Sequence, residues 1–415
     1  MRRAALLRPS TVLALASPIP GLAVRFDVLH VPLVLETTLF GVAIFGAAFV
    51  LSWAAEVAQL DISQTLAIAV LALIAVLPEY AVDLFLAFRA GQGDEEARHL
   101  AVANMTGANR LLIGIGWAAV VLIYAFKTGR KQVELKAEQR TDVGFLLVAT
   151  LWAFTIPLRG ELSVLDLGVL GTLFVFYIIR AAREEVEEPE LIGAAAALGA
   201  LPRVPRRITT IVLFVFSAAV ILVVAEPFAE GLQEIGEEFG ISKFLLIQWV
   251  APLASEAPEM IIAILFTLRL KAQAGLGTLI SSKVNQWTLL VGTLPLVFSL
   301  AGAGLETPMR MDSRQVEEVF LTAAQSLFAV VVIANLTVSR GEALVLLVLF
   351  LGQFGFEDST IRYGFAFAYL AITAGVLVVS RQVRSNLLRS LSHVFVPTRR
   401  VRRPGPPVGP TIPPD

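Results

Sequence analysis

The feature that most constrains this chain is a Pro-Glu pair set inside an apolar run, and it occurs twice. The first copy reads LALIAVLPEYAVDLFLAFRAG over 71–91 and the second VAPLASEAPEMIIAILFTLRLK over 250–271. Each run is long enough to cross a bilayer, which takes roughly 20 apolar residues. Proline removes a backbone donor and breaks a helix. A carboxylate at that depth costs roughly 2.5–3.5 kcal/mol on insertion scales unless water, a cation or a proton compensates it. Packing alone gives no reason to carry so costly a pair twice.

The rest of the chain suits a membrane. Of its 415 residues 56% are hydrophobic and only 16% charged, and the mean hydropathy of +0.76 excludes a soluble globule of this length. Candidate spans lie at about 31–54, 63–89, 99–125, 142–157, 162–180, 208–226, 243–268, 275–302, 317–338, 343–356 and 361–380. Such continuous runs are helices rather than barrel strands, so the fold is predicted to be an all-α polytopic membrane protein. Cysteine is absent, which removes disulfide and thiolate-metal chemistry. The net charge of −1 gives no sign of a nucleic-acid partner.

Two landmarks divide the chain. Glu259 follows Glu79 at an offset of 259 − 79 = 180, and Arg340-Gly341-Glu342 follows Arg159-Gly160-Glu161 at 342 − 161 = 181. A duplicated half is the economical reading. The expected divisions are an N-terminal segment 1–30, a first membrane repeat 31–180, a linker 181–207, a second repeat 208–356, an extra C-terminal span 357–381 and a basic, Pro-rich tail 382–415. Bases concentrate at 126–141, at 181–207 and in the tail, which places those segments and the C-terminus in the cytoplasm of a protein of the plasma (inner) membrane. Five spans per half then make the repeats inverted, with helices broken at Pro-Glu, as in secondary transporters. Eleven spans put the N-terminus outside, against the pull of Arg2, Arg3 and Arg8, and one more span before residue 31 removes that conflict.

The polar residues of the two cores point to a hard cation. After the first Pro-Glu helix comes Ala103-Asn104-Met105-Thr106-Gly107-Ala108-Asn109-Arg110, and after the second Ser281-Ser282-Lys283-Val284-Asn285-Gln286-Trp287-Thr288. Carboxylates with neutral oxygen donors suit Ca²⁺ or Na⁺, and no sulfur or imidazole cluster competes. Asp83, one turn beyond Glu79, either assists them or is solvated at the helix end. Asn104, Asn109 and Asn285 are either ligands or interhelical glue. Ser255 and Thr288 can bind a cation or their own helix backbone. Lys283 either pairs with Glu256, stands where a sodium ion would, or snorkels to the membrane edge. The two Arg-Gly-Glu motifs read as turns held by a local ion pair.

These residues resemble the sodium/calcium exchanger family of the calcium/cation antiporter superfamily, whose repeats read roughly G-T-S-L-P-E followed by G-N-V-I-G-S-N-I-F-N. The match covers the two repeat cores, Val76-Leu77-Pro78-Glu79 with Ala103 to Leu112, and Ser255-Glu256-Ala257-Pro258-Glu259 with Lys283 to Thr288. The resemblance implies a non-enzymatic antiporter, without a resident cofactor, that exchanges Ca²⁺ for Na⁺ by alternating access. Its implied cation ligands are Glu79, Glu259, Asn104, Asn109, Asn285, Ser255 and Thr288, to which this chain's own residues add Glu256 and Asp83 as candidates. The chain departs from the family at Ala75, Val76, Ala108 and Leu112, where hydroxyl and amide ligands are missing, and at Glu256 and Lys283. Those departures leave cation/H⁺ exchange open, and also a scaffold or sensor that keeps the fold without transport.

Overall fold

The computed structural model describes residues 9–183, 191, 193–240, 252–253, 256–354, 356 and 358–395. The N-terminal residues with Arg2, Arg3 and Arg8, the acidic part of the linker, the segment around Ser255 and the tail beyond residue 395 lie outside the described residues.

Among the described residues, eight helices are long and apolar enough to cross a membrane. The chain starts with two short helices, α1 (Pro9–Ala16) and α2 (Pro18–Arg25), followed by the long α3 (Leu33–Ala58). The run predicted as one span at 63–89 is two helices, α4 (Gln64–Ala75) and α5 (Leu77–Gly91), with Pro78 in the first turn of the second. Proline suits that place, because the first-turn N–H groups have no intrahelical partner. Next come α6 (Glu95–Leu111), a π-helical segment Leu112–Trp117 and α7 (Ala118–Thr128), then strand β1 (Gln132–Glu134). Helix α8 (Arg140–Ala153), strand β2 (Glu161–Leu162) and α9 (Val164–Ala181) complete the first half.

The second half follows the same order. Helix α10 (Arg203–Glu238) is the counterpart of α3 and α11 (Ala257–Leu268) that of α5, again with proline in the first turn. Helix α12 (Ala272–Asn285), a π-helical segment Gln286–Leu290 and α13 (Val291–Phe298) match α6 to α7. Strand β3 (Met309–Arg310), α14 (Ser313–Ile333), β4 (Thr337–Ser339) and α15 (Arg340–Phe354) follow. Beyond the repeat lie α16 (Ser359–Val379) and the amphipathic α17 (Arg381–Phe395), with Arg381, Arg384 and Arg389.

Contacts across the halves fix their relative direction. Asp61, just after α3, pairs with Arg206 at the start of α10, whereas Thr37 near the start of α3 meets Gly231 near the end of α10. The counterpart helices are therefore antiparallel neighbours. A single crossing, Ala137–Arg159, separates β1 from β2, so these strands lie at opposite ends of the bundle. β1 pairs antiparallel with β4, and β2 with β3. Strands in equivalent places, β1 and β3, thus sit at opposite ends.

Two apolar cores organise most of the bundle, with α4 and α11 contributing to both. A large apolar core joins α6 to α9 with α12 to α16. A second core unites α3 and α10 with one face of α4 and α11. Close approach of α3 and α10 needs small residues, and Gly41 lies against the Phe228 ring, where an added Cβ would stand 3.1 Å away. The α1–α2 segment packs antiparallel along α3, with Ser17 against Gly46 and Gly21 against the Leu39 carbonyl. Residues 39 to 50 of α3, the stretch it covers, measure roughly 16 Å at 1.5 Å per residue, about half a hydrocarbon core.

The Arg-Gly-Glu turns differ from the expected pair. Arg159 pairs with Asp166 rather than Glu161, because Glu161 is drawn into β2 while Asp166 caps the start of α9. In the second copy Glu342 accepts from the Ser339 N–H at 2.8 Å and hydroxyl at 2.7 Å, capping α15 instead of binding arginine.

Candidate cation-binding site

Helices α5 and α11 start with Pro78 and Pro258 in their first turns, and each carries its glutamate there, in the bundle interior. Glu79 and Glu259 are both 0% exposed, and Glu256, one turn before Glu259, is 1% exposed. Asp83, on the same face of α5 as Glu79, is also fully buried, which excludes a solvated helix end. Four carboxylates therefore share the interior with one ammonium, that of the fully buried Lys283.

The donors present are too few for these acids. Glu259 Oε2 accepts from the Ser282 hydroxyl, Glu256 Oε1 from Gln286 Nε2 at 2.7 Å, and Asp83 Oδ1 from Asn104 Nδ2 at 2.9 Å. Both oxygens of Glu79, together with Asp83 Oδ2, Glu256 Oε2 and Glu259 Oε1, have no donor. Glu256 approaches both Glu79 and Glu259, acid facing acid. Buried acceptors without partners cost about 1–3 kcal/mol each and more when charged. They are tolerable where a cation or proton completes the arrangement. Among the described residues no three His, Cys, Asp or Glu side chains form a ready metal-ligand group, so the acids do not make a finished cage.

Lys283 neither snorkels nor pairs with Glu256. Its Nζ donates to Asn109 Oδ1 at 2.6 Å and lies 4.1 Å from the centroid of the Trp287 ring. A desolvated ammonium gains from both a carbonyl acceptor and an aromatic face. Asn109 in turn donates to the Met105 carbonyl at 2.7 Å. The asparagine that the sequence marks as a ligand of the first repeat is thus occupied by a lysine from the second.

The remaining expected ligands separate into those near the acids and those engaged elsewhere. Asn104 reaches Asp83, and Asn285 Oδ1 accepts from the Tyr80 hydroxyl at 2.9 Å, directly after Glu79 in the chain. The Thr288 hydroxyl donates to the Val284 carbonyl at 2.5 Å, inside its own helix. Ser255 lies outside the described residues. At the positions without oxygen ligands, Ala75, Val76, Ala108 and Leu112 are all buried and apolar.

Two residues that bind the acids, Ser282 and Gln286, are not marked as ligands by the sequence. They face the Pro-Glu helix from α12 and its π-helical continuation, and only the pairing of the two helices reveals it. The π-helical segments also have no signature in the sequence. They start directly after Leu111 in one half and directly after Asn285 in the other, and such bulges recur at functional sites.

A second buried charge cluster adjoins the first. Glu318 accepts from Thr106 at 2.9 Å and from Arg362 at 3.0 Å, and lies 4.0 Å from Arg110. Arg362, from α16, also contacts Glu317. Arg110, the neighbour of Asn109, is thereby anchored in an ionic cluster rather than directed to the membrane edge.

Comparison with known proteins gives this geometry a context. The family model described as sodium/calcium exchanger protein matches residues 32–182 and 209–356. The solved structure of the H⁺/Ca²⁺ exchanger CAX is 43% identical, with 92% of this chain and 96% of that chain covered and a TM-score of 0.81. The sodium-calcium exchanger NCX_Mj soaked with 10 mM Na⁺ is 18% identical, with 79% and 99% covered and a TM-score of 0.59, a likeness of fold. No curated protein matches.

Proposed function

Because this chain belongs to the sodium/calcium exchanger protein family, we propose that it is a Ca²⁺/H⁺ antiporter working by alternating access. Glu79 and Glu259 are the central cation-binding carboxylates, assisted by Glu256 and Asp83. The observation that carries this reading is the set of five buried carboxylate oxygens without donors, at the starts of two helices that carry equivalent prolines in their first turns. Hard oxygen ligands of this kind suit Ca²⁺, which takes six to eight of them. Asn104 and Asn285 are the neutral side-chain ligands beside the acids, and Ser255, together with Asn109 and Thr288 once Lys283 and the helix backbone release them, would complete the shell.

Protons are favoured over Na⁺ as the counter-ion by the charge and ligand balance. Sodium sites need neutral oxygens beside the glutamates, and the first half offers Ala75, Val76, Ala108 and Leu112 there instead. Lys283 adds a fixed positive charge and engages Asn109. The 43%-identical relative is described as an H⁺/Ca²⁺ exchanger. After Ca²⁺ leaves, protons on the carboxylates restore neutrality without further ligands. The opposed direction of α3 and α10 supports inverted repeats, which present one midplane site to either side in turn. The basic end of the bundle is assigned to the cytoplasm of the plasma (inner) membrane.

Gradient-driven ⁴⁵Ca²⁺ uptake into proteoliposomes tests the site. Glu79→Gln and Glu259→Gln are each expected to lower uptake at least about a hundredfold, or roughly 2.7 kcal/mol, while retaining the wild-type elution profile. Unchanged uptake in either variant contradicts the assignment.

A further inference from the structure

Arg89 follows Glu79 by ten residues and Arg269 follows Glu259 by ten, so the two arginines hold equivalent places at the far ends of α5 and α11. Their partners are not equivalent. At the basic end, Arg269 Nη1 donates to Glu56 Oε1 at 3.0 Å and Lys271 Nζ meets Glu56 Oε2 at 2.5 Å. Glu56 is only 3% exposed, and the Arg269 guanidinium also covers the Phe49 ring at 5.2 Å. The last turn of α3 is thereby fastened to the end of α11.

At the other end the equivalent connection is open. Arg89 pairs with Asp94 of its own loop at 2.7 Å and remains half exposed. The last two turns of α10, the counterpart of α3, carry Glu234, Glu237 and Glu238, all exposed. Glu237 stands 237 − 56 = 181 residues after Glu56, within one residue of the repeat offset. It makes no ion pair with any described residue.

We propose that these residues form an alternating ionic latch. When Glu56 releases Arg269 and Lys271 at one end, Arg89 leaves Asp94 at the other and pairs with Glu237. Helices α3 and α10 lie side by side and antiparallel, in a core they share with one face of α4 and α11, and in the proposed cycle they rock together against the larger core. Their C-terminal ends lie at opposite ends of that pair, so approach at one end means departure at the other. The Glu56 latch is buried and holds two bases, whereas Arg89 and Glu237 are exposed, so the closed basic end is the more strongly held of the two and the bound ions must shift the balance. The inference rests on the alternating-access reading and assigns further residues to that cycle.

The native chain has no cysteine, so disulfide trapping needs no background removal. In full-length protein in liposomes, Arg89→Cys with Glu237→Cys, and separately Glu56→Cys with Arg269→Cys, are oxidised in saturating Ca²⁺ and in Ca²⁺-free acidic buffer. The two pairs are expected to cross-link under opposite conditions, each changing at least about threefold between them. Equal cross-linking of the first pair in both conditions, or none in either, overturns the latch. Arg89 and Glu237 are both exposed, so their replacement leaves the fold intact, and Arg89→Glu rescued by Glu237→Arg gives an independent flux readout. Cross-linking is scored without transport. Failure of the exchange reading shows itself separately, as absent Ca²⁺ flux in the unmodified protein.

Discussion

Glu79 carries two carboxylate oxygens without a donor at a fully buried position, a condition the protein must compensate in every state it visits. Its neighbours Asp83, Glu256, Glu259 and Lys283 determine what can do so. On the proposed proton-coupled reading, Lys283 would stand in for a monovalent cation. Lys283→Gln is expected to raise the inhibition of Ca²⁺ uptake by external Na⁺ about tenfold, near 1.4 kcal/mol, measured by Na⁺ titration of flux. An unchanged Na⁺ response means that the ammonium does not stand in for sodium. At this scale the sequence discloses Glu79 and Glu259, because helix packing has no use for a proline and an acid recurring together at membrane depth. It does not disclose Ser282, Gln286 or the Lys283–Asn109 bond. Those depend on how α12 is rotated against α11 and α6, which periodicity leaves undetermined.

Among the elements, the π-helical segments and the ionic cluster on α14 carry separate consequences. Gly114, within Leu112–Trp117, packs so closely on α15 that an added Cβ would lie 2.2 Å from the Phe350 ring. Gly114→Ala therefore forces a shift of one helix from the other and is expected to cost about 1–3 kcal/mol, seen as a lower midpoint in detergent thermal unfolding. Arg362 is 1% exposed and serves both Glu317 and Glu318. Its removal leaves buried carboxylates poorly compensated, and Arg362→Ala is expected to destabilise by about 3–5 kcal/mol in the same measurement. A loss below about 1 kcal/mol would mean that the cluster compensates internally. The helix breaks are legible from Pro78 and Pro258. The π-helical segments LIGIGW and QWTLL are not, because apolar residues continue through them without any change of composition.

At the scale of the molecule, an odd number of spans per half and the loop charges suffice to predict opposed repeats, and the antiparallel α3 and α10 agree with that expectation. The placement of α1 and α2 along α3 is not legible in the sequence, since their apolar run is short and broken by Pro18 and Pro20. The joint at the basic end is sensitive to pH. Arg206 and Arg207 hold Asp61 below its ordinary carboxylate range by hydrogen bonding and charge, outweighing its partial desolvation. A lowered folded-state pKa contributes stability that is complete above the unfolded value of 3.8 and is lost as pH falls through the folded one. Asp61→Asn should therefore lower the unfolding midpoint at neutral pH and flatten its fall below about pH 4, in a pH series of thermal melts.

The central claim is that Ca²⁺ and protons exchange through one buried carboxylate site. Its most direct test is simultaneous measurement of Ca²⁺ uptake and internal pH in sealed proteoliposomes without Na⁺, with an outward proton gradient imposed. The account predicts Ca²⁺ entry coupled to proton exit in wild type, with both lost in Glu79→Gln and Glu259→Gln. Ca²⁺ entry driven by an outward Na⁺ gradient with no accompanying proton movement, or no Ca²⁺ entry under either gradient, would contradict it.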